Sequence, residues 1–349
     1  MRSISIDGRP VGPGHPVYVI AEVSANHNGS LALARETVAA AAEAGADAIK
    51  LQTYRPDTIT FKSDAAPFQI ADGTLWDGRT LWDIYEEGQT PWEWHAELFE
   101  YANSLGLQGF SSPFDPTAVE FLSDLGVPAF KVASFEIVDL PLVRLMAERG
   151  LPVILSTGIA REDDVAAALA VCREVGNEDL VVLKCTSSYP APFSELNLRT
   201  IPDIAERFDV VPGLSDHTMS VTAAVAAVAL GACVIERHLI VDRALGGLDS
   251  QFSTNAVEFA DMVARVREAQ EGLGEVTYEL TPRAAASRRH SRSLFVVADV
   301  RPGDAVTSDN VRSIRPADGM PPARLPEILG RTFAVAVAAG TPLADDLLA

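Results

Sequence analysis

Cysteine, cationic side chains and long apolar runs are all scarce in this chain. Its 3 cysteines, Cys172, Cys185 and Cys233, are widely spaced and form no CxxC unit. That excludes a disulfide framework, and buried, reduced thiols in a cytoplasmic protein are the expectation. Lys and Arg total 28 against 48 Asp and Glu, a formal charge of −20. Such a balance leaves no basic stripe for nucleic acid, so an anionic ligand has to be held by a local cationic cluster working against the global field. The N-terminus runs into Gly and Pro without an apolar core segment, and no signal peptide is expected. The longest apolar stretch, 221–235, is Ala-rich and too short to span a bilayer, so no membrane partner is expected.

What is present is a repeating unit. The chain has 349 residues, 48% hydrophobic and 22% charged, enough for one large domain and a smaller one. Short aliphatic runs at 17–23, 46–52, 108–111, 129–133, 153–156, 180–184, 210–214 and 233–236 alternate with helical patterns such as 31–44, 92–105, 116–125, 161–175 and 221–230. Apolar strands alternating with helices predict a parallel sheet covered on both faces, and eight units in this length predict a (β/α)8 TIM barrel. A doubly wound sheet is the alternative, disfavoured by the repeat count and the missing Gly-rich dinucleotide turn.

Residues 54–90 interrupt the second unit with Thr, Asp, Gly and aromatic patches, a candidate lid. The barrel domain is expected to run to about 275, followed by a polar, Arg-rich linker at 276–290. The tail, 291–349, carries short strands at 293–297, 311–314 and 333–337 and reads as a small β-rich domain that needs a partner surface.

Barrel enzymes work at the C-terminal ends of their strands. Those ends carry Glu22; Lys50 and Gln52; Ser112; Lys131, Ser134 and Glu136; Lys184, Ser187 and Tyr189; Ser215 and His217; Glu236 and His238. Lysines at 50, 131 and 184 beside serine hydroxyls suit phosphate and carboxylate together, although strand-end lysines also snorkel to solvent. His217 and His238 end neighbouring strands, where two imidazoles suit a divalent metal; a hydrogen-bonded structural role is the competing explanation for either one. His27 is explained by turn formation, and His15, His95 and His290 read as surface or linker residues.

The runs AEVSANHNGS (21–30), KLQTY (50–54), FSSPFD (110–115), KVASFE (131–136), KCTSSYPAP (184–192), GLSDHT (213–218), ERHL (236–239) and SIRPADGMPP (313–322) resemble the sialic acid synthase family. The resemblance covers nearly the whole chain. SANHNG, the aromatic LW–TPWEWH insertion (81–95) and GGLDSQFS (246–253) are similar to its pseudaminate-type branch; neuraminate and legionaminate types are the near alternatives.

The resemblance implies condensation of phosphoenolpyruvate with the open-chain aldehyde of an amino sugar, giving a nine-carbon keto acid and phosphate. For the pseudaminate type the sugar is a 2,4-diacetamido-2,4,6-trideoxy-altrose. His217 and His238 match metal ligands, for Mn2+ first and Mg2+ or Co2+ otherwise. Lys50, Ser112, Lys131, Ser134 and Ser215 match positions that hold phosphoenolpyruvate. Ser187 stands where neuraminate-type enzymes have Asn. Gln52, Glu136, Tyr189 and Asp249 match positions facing the sugar, and Glu22 is the candidate to position water. The tail resembles the antifreeze-like (SAF) domain, which implies a domain-swapped homodimer in which Arg315 reaches the partner's sugar site. Two other classes remain: a Schiff-base aldolase using one of the lysines, and a carbohydrate-binding module without catalysis.

Overall fold

Two short strands open the chain, β1 (Ile4–Ile6) and β2 (Arg9–Val11), paired antiparallel around Asp7 and Gly8. Both turn residues sit at positive φ, 46° and 75°, the conformation that a two-residue hairpin turn requires. Strands of three residues lie below what sequence periodicity resolves. The computed structural model describes residues 2–71 and 73–349.

The expected eight-stranded barrel is present: β3 (Tyr18–Glu22), β4 (Ala48–Thr53), β5 (Gln108–Pro113), β6 (Phe130–Val132), β7 (Val153–Ser156), β8 (Leu180–Cys185), β9 (Val211–Asp216) and β10 (Val234–Ile240). All neighbours pair in parallel, and β10 pairs with both β9 and β3, which closes the sheet. A short strand, β11 (Thr254–Asn255), extends the tip of β10. The strands are buried on both faces, one against the helices and one inside the barrel. In β4, Ile49 and Leu51 are fully buried hydrophobes, while Lys50 and Gln52 on the alternate face meet Glu22 of β3.

Side chains fix the helix starts. Ser30 caps the helix Leu31–Glu43, and Asp115 accepts from the amides of Thr117 and Ala118 to start Pro116–Asp124. The stretch at 221–235 divides into the helix Val221–Ala229 and the start of β10; its Ala face lets the helix Ala256–Leu273 pack closely.

The N-terminal hairpin lies at the end of the barrel away from the strand C-termini. Gln108 donates to the Ile6 carbonyl at 2.8 Å, and Asp47 accepts from Arg9, Arg267 and the Val19 amide at 2.6, 2.8 and 2.7 Å. Ile4, Ile6 and Val11 join the main core. Each full burial contributes about 1.5–3 kcal/mol.

The chain divides between Gly274 and Glu275 into two compact units. In the second, β12 (Ser293–Val296) and β13 (Val311–Ile314) form an antiparallel pair over a small core of Leu294, Val311, Phe333 and Leu343. The strand expected at 333–337 is not a ladder. Phe333 and Val337 each make one isolated bridge, to Leu348 and Val300, and serve as apolar pegs. The polar stretch read as linker contains a helix, Pro282–Arg288, capped by Thr281 with Pro at its first position; its Ala run outweighs its polarity. No helix among the described residues is long and apolar enough to cross a membrane.

Candidate active site

Adjacent strands put two buried cations against two buried carboxylates. Glu22 and Lys50 are register partners on β3 and β4, and Lys50 Nζ lies 2.5 Å from Glu22 Oε2. Glu236 of β10 faces both lysines from across the barrel, its Oε1 3.8 Å from Lys50 Nζ and 4.0 Å from Lys131 Nζ. Lys131 also donates to Ser156 Oγ at 2.7 Å and to the Val132 carbonyl at 2.9 Å. Lys50 reaches Ser112 at 3.3 Å, and Ser215 donates to Glu236 at 3.4 Å.

This packing shifts the ionisation of the groups. Burial raises Glu22 to about 7, against the opposing pull of Lys50. Burial opposes the charge on Lys50 too, but Glu22 and Glu236 outweigh it and its pKa rises. For Lys131 burial wins: its pKa is lowered, with Glu236 offsetting part of the effect and Lys50 adding to it. Glu22 therefore exchanges a proton near neutrality while Lys50 stays charged.

Beside this cluster stand two imidazoles. His217 and His238 have ring centroids 5.3 Å apart. His217 Nδ1 lies 3.0 Å from the Thr186 carbonyl, which can only accept, so Nδ1 carries a proton; burial opposes charge on the ring, but the Cys185 sulfur and this carbonyl outweigh it and raise His217 to about 8. His238 Nδ1 is buried with no hydrogen-bond partner, and burial, His217 and Lys50 hold the ring well below the usual histidine range. Cys185 joins this group, with Sγ 3.8 Å from His217 Nδ1 and 3.5 Å from Ser134 Oγ. Ser187 Oγ lies 3.9 Å from the same sulfur.

A third group borders the mouth. Gln52 donates to Glu22 at 3.0 Å and to Ser24 at 2.9 Å, and Ser24 in turn donates to Asp249. Ser24 holds a φ of 48°, a strained conformation for a residue with a Cβ, of the kind found where a side chain must be aimed. Asp249 also accepts from the Ala25 amide at 3.2 Å. Tyr189 packs on His217 with centroids 4.5 Å apart. Glu136 follows β6, and burial raises its carboxyl to about 7; its Oε2 is buried without a partner.

The structure thus gathers Glu22, Lys50, Gln52, Ser112, Lys131, Ser134, Ser187, Tyr189, Ser215, His217, His238 and Asp249 through one connected set of contacts. Glu136 is placed beside them by its electrostatic coupling to Lys131. Arg315 is exposed and belongs to the second unit. Lys184 does not join the other lysines. Cys185 takes the inward position on β8, so Lys184 points outward, donates to the Cys185 carbonyl at 2.6 Å and lines a cavity of about 680 Å³ with Arg161 and Arg199. His95 is not a surface residue: it is fully buried, with Nε2 2.7 Å from Thr53 Oγ1. All three cysteines are buried and free, as expected. Glu236 and Ser24, legible in the sequence only as strand-end residues without a role, and Cys185, legible only as a buried thiol, also belong to the site.

A closed parallel barrel with buried lysines, paired carboxylates and facing imidazoles at one mouth defines a TIM-barrel enzyme acting on an anionic substrate. Residues 37–278 match the NeuB family and residues 291–349 match the SAF domain. The chain belongs to the NeuB family, which bears out the resemblance carried by the strand-end motifs. It is 45% identical over 315 residues to a pseudaminic acid synthase of Campylobacter jejuni, spanning 90% of this chain and 92% of that protein. With a pseudaminic acid synthase of Helicobacter pylori it shares 44% identity over 334 residues, 95% of this chain and 98% of the other. The crystal structure of an N-acetylneuraminic acid synthetase from Leptospira borgpetersenii in complex with citrate superimposes with a TM-score of 0.73 at 28% identity, covering 82% of this chain and 95% of that one.

Proposed function

We propose that this protein condenses phosphoenolpyruvate with the open-chain aldehyde of a diacetamido-trideoxy hexose of the pseudaminate type, releasing phosphate. The observation that carries the reading is the buried Lys50–Glu22–Glu236–Lys131 cluster beside His217 and His238. Two ammonium groups and the hydroxyls of Ser112, Ser134 and Ser215 supply what a carboxylate and a phosphate need. The sugar assignment rests on 45% and 44% identity to two pseudaminic acid synthases and on Ser187.

In this reading C3 of phosphoenolpyruvate attacks the aldehyde carbon, and water adds at C2 before the C–O bond to phosphate breaks. Glu22, raised to about 7, accepts a proton from that water near neutral pH. Glu136, also raised to about 7, is protonated often enough to donate to the sugar ring oxygen as the ring opens. Gln52, Tyr189 and Asp249 hold the sugar.

The residues fit a divalent cation. His238 offers a buried nitrogen without a partner, and the Nδ1 contact of His217 to Thr186 leaves Nε2 as the nitrogen that would take a cation once the ring gives up its second proton. We assign Mn2+ first, with Mg2+ or Co2+ as substitutes, held by His217 and His238. When bound, such an ion supplies Lewis-acid polarisation of the aldehyde oxygen.

The arm that begins the second unit supports the reading of a domain-swapped homodimer. Val276 and Tyr278 are 98% and 97% exposed, and the helix Pro282–Arg288 is exposed along its whole length. Apolar side chains this bare suit cover by a second copy, with Arg315 serving the partner's sugar site. A cytoplasmic location fits the three free, buried thiols and the metabolite used.

The decisive experiment offers the purified protein phosphoenolpyruvate with each candidate amino sugar and weighs the products. A nine-carbon acid with stoichiometric phosphate supports the reading, and loss of turnover after chelation with recovery on Mn2+ supports the metal. One observation favours a second chemistry: a buried lysine of lowered pKa, as at Lys131, is the state in which amines form imines. Borohydride with pyruvate would trap an adduct on Lys131 in that case and leave the protein unmodified in ours.

A further inference from the structure

The insertion after β4 sends one large aromatic side chain to the catalytic mouth. Trp76 lies among residues that are otherwise mostly exposed, yet it is half-buried. Its ring stands 6.0 Å from that of Tyr189 and 6.3 Å, edge-on at 88°, from that of Phe252. Tyr189 packs on His217, and Phe252 meets His238 at 5.1 Å. Three aromatic rings therefore form one continuous wall beside the two imidazoles.

Little of this wall is polar. The Trp76 indole N–H donates to the Leu248 carbonyl at 3.3 Å, and the Tyr189 hydroxyl is hydrogen-bonded to Ser187. The Phe252 side chain has no polar atom. What remains is mostly ring faces and edges, with the Tyr189 hydroxyl as its one remaining polar atom. The same mouth also carries a polar group, Gln52, Ser24 and Asp249, joined by hydrogen bonds.

We propose that Trp76, with Tyr189 and Phe252, is a specificity-determining wall that receives the methyl group of the acylamino substituent next to the reacting aldehyde. The inference deepens the functional reading above and rests on it: the aldehyde carbon lies at the histidine pair, so the substituent on the next carbon meets the aromatic wall. An acyl methyl is apolar and gains by burial there. A hydroxyl or ammonium set against the Trp76 and Phe252 rings would be desolvated without a partner. Through Leu248, the neighbour of Asp249, Trp76 also steadies the loop that carries a sugar-facing carboxylate.

The test compares Trp76→Ala and Trp76→Phe with the unaltered enzyme in steady-state kinetics, using the acylamino sugar and its counterpart with a free amine or hydroxyl at that carbon. Loss of a methyl contact in an apolar pocket is worth roughly 10–200-fold in discrimination. Trp76→Ala is expected to raise KM for the acylamino sugar by about 10-fold or more on that scale. It should leave KM for phosphoenolpyruvate unchanged and largely abolish the preference for the acyl group, while Trp76→Phe keeps most of it. A Trp76→Ala enzyme with intact acyl preference overturns the proposal. So does one that loses kcat alone, or loses affinity for both substrates alike, since those are signs of a merely structural residue. Failure of the unaltered enzyme to join phosphoenolpyruvate to any acylamino sugar would instead remove the functional reading, and this inference with it.

Discussion

Asp216 and Arg237 form a buried ion pair, with Arg237 Nη2 3.1 Å from Asp216 Oδ2, and each immediately precedes one of the two facing histidines. Arg237 also donates to the Thr218 hydroxyl at 3.0 Å and to the carbonyls of Thr218 and Ser220, while Asp216 accepts from the Thr218 amide at 2.8 Å. The outward faces of β9 and β10 are thus tied together one residue before their inward faces present His217 and His238. The spacing of the imidazoles depends on this tie.

Removing one partner leaves the other charged and buried. Arg237→Met is expected to destabilise the fold by about 3–5 kcal/mol, read from urea unfolding. Arg237→Lys recovers little, because an ammonium cannot replace a guanidinium fork that reaches two carbonyls, a hydroxyl and a carboxylate. The double variant Asp216→Asn/Arg237→Met should regain part of the stability but bind Mn2+ more weakly by calorimetry. Unchanged metal affinity in a folded Arg237 variant would show that the tie does not set the histidine spacing.

Glu136 gives a pH signature. Burial raises its carboxyl from the ordinary 4.5 to about 7, so the protonated form is favoured in the folded state. The stability this lends is fully present below 4.5 and is lost as pH rises through 7, about 3 kcal/mol for such a displacement. Glu136→Gln, which cannot ionise, should therefore raise the melting temperature relative to the parent at pH 8 and change it little at pH 4. In kinetics, kcat/KM for the sugar should fall above about 7 as the acid is lost. Glu136→Gln should be slower by about 100-fold or more and lack that limb.

Three of the chain's lysines end barrel strands, and their fates differ by strand parity. A continuous apolar run such as Leu180–Cys185 carries no alternation, because parallel strands are buried on both faces. Sequence alone could therefore locate Lys184 at a strand end without telling which way it pointed. The prediction is a contrast. Lys131→Met should lower kcat/KM for phosphoenolpyruvate by roughly 10–100-fold, the worth of charged hydrogen bonds, whereas Lys184→Met stays close to the parent. Equal losses in both would contradict the inward and outward assignment.

The same physics separates what was legible in the sequence from what was not. The eight strands were visible because apolar runs of barrel length recur between helical patterns, and the working rim followed from their C-terminal ends. Glu236 was visible only as a strand end, since its meaning lies in facing Lys50 and Lys131 across the barrel. His95 carried a usable signal that was missed: with Leu98, Phe99 and Ala102 it forms one buried helical stripe. Trp76 carried none, because its neighbours Tyr189 and Phe252 are more than a hundred residues away in the chain.

The last prediction concerns Arg315, exposed after β13 in the second unit. If it serves the sugar site of a partner, two inactive proteins should complement each other. Arg315→Ala leaves every barrel intact but removes the arginine, and His238→Ala leaves the arginine but disables the barrel. In a mixed dimer, isolated through two different tags, the intact barrel of the first chain receives Arg315 from the second. One competent site per dimer then gives about half the parental turnover, the share expected when sites act independently. If Arg315 works within its own chain, every site in the mixed dimer lacks either the arginine or the histidine. Activity then stays at the level of the single variants, and the swapped arrangement is excluded.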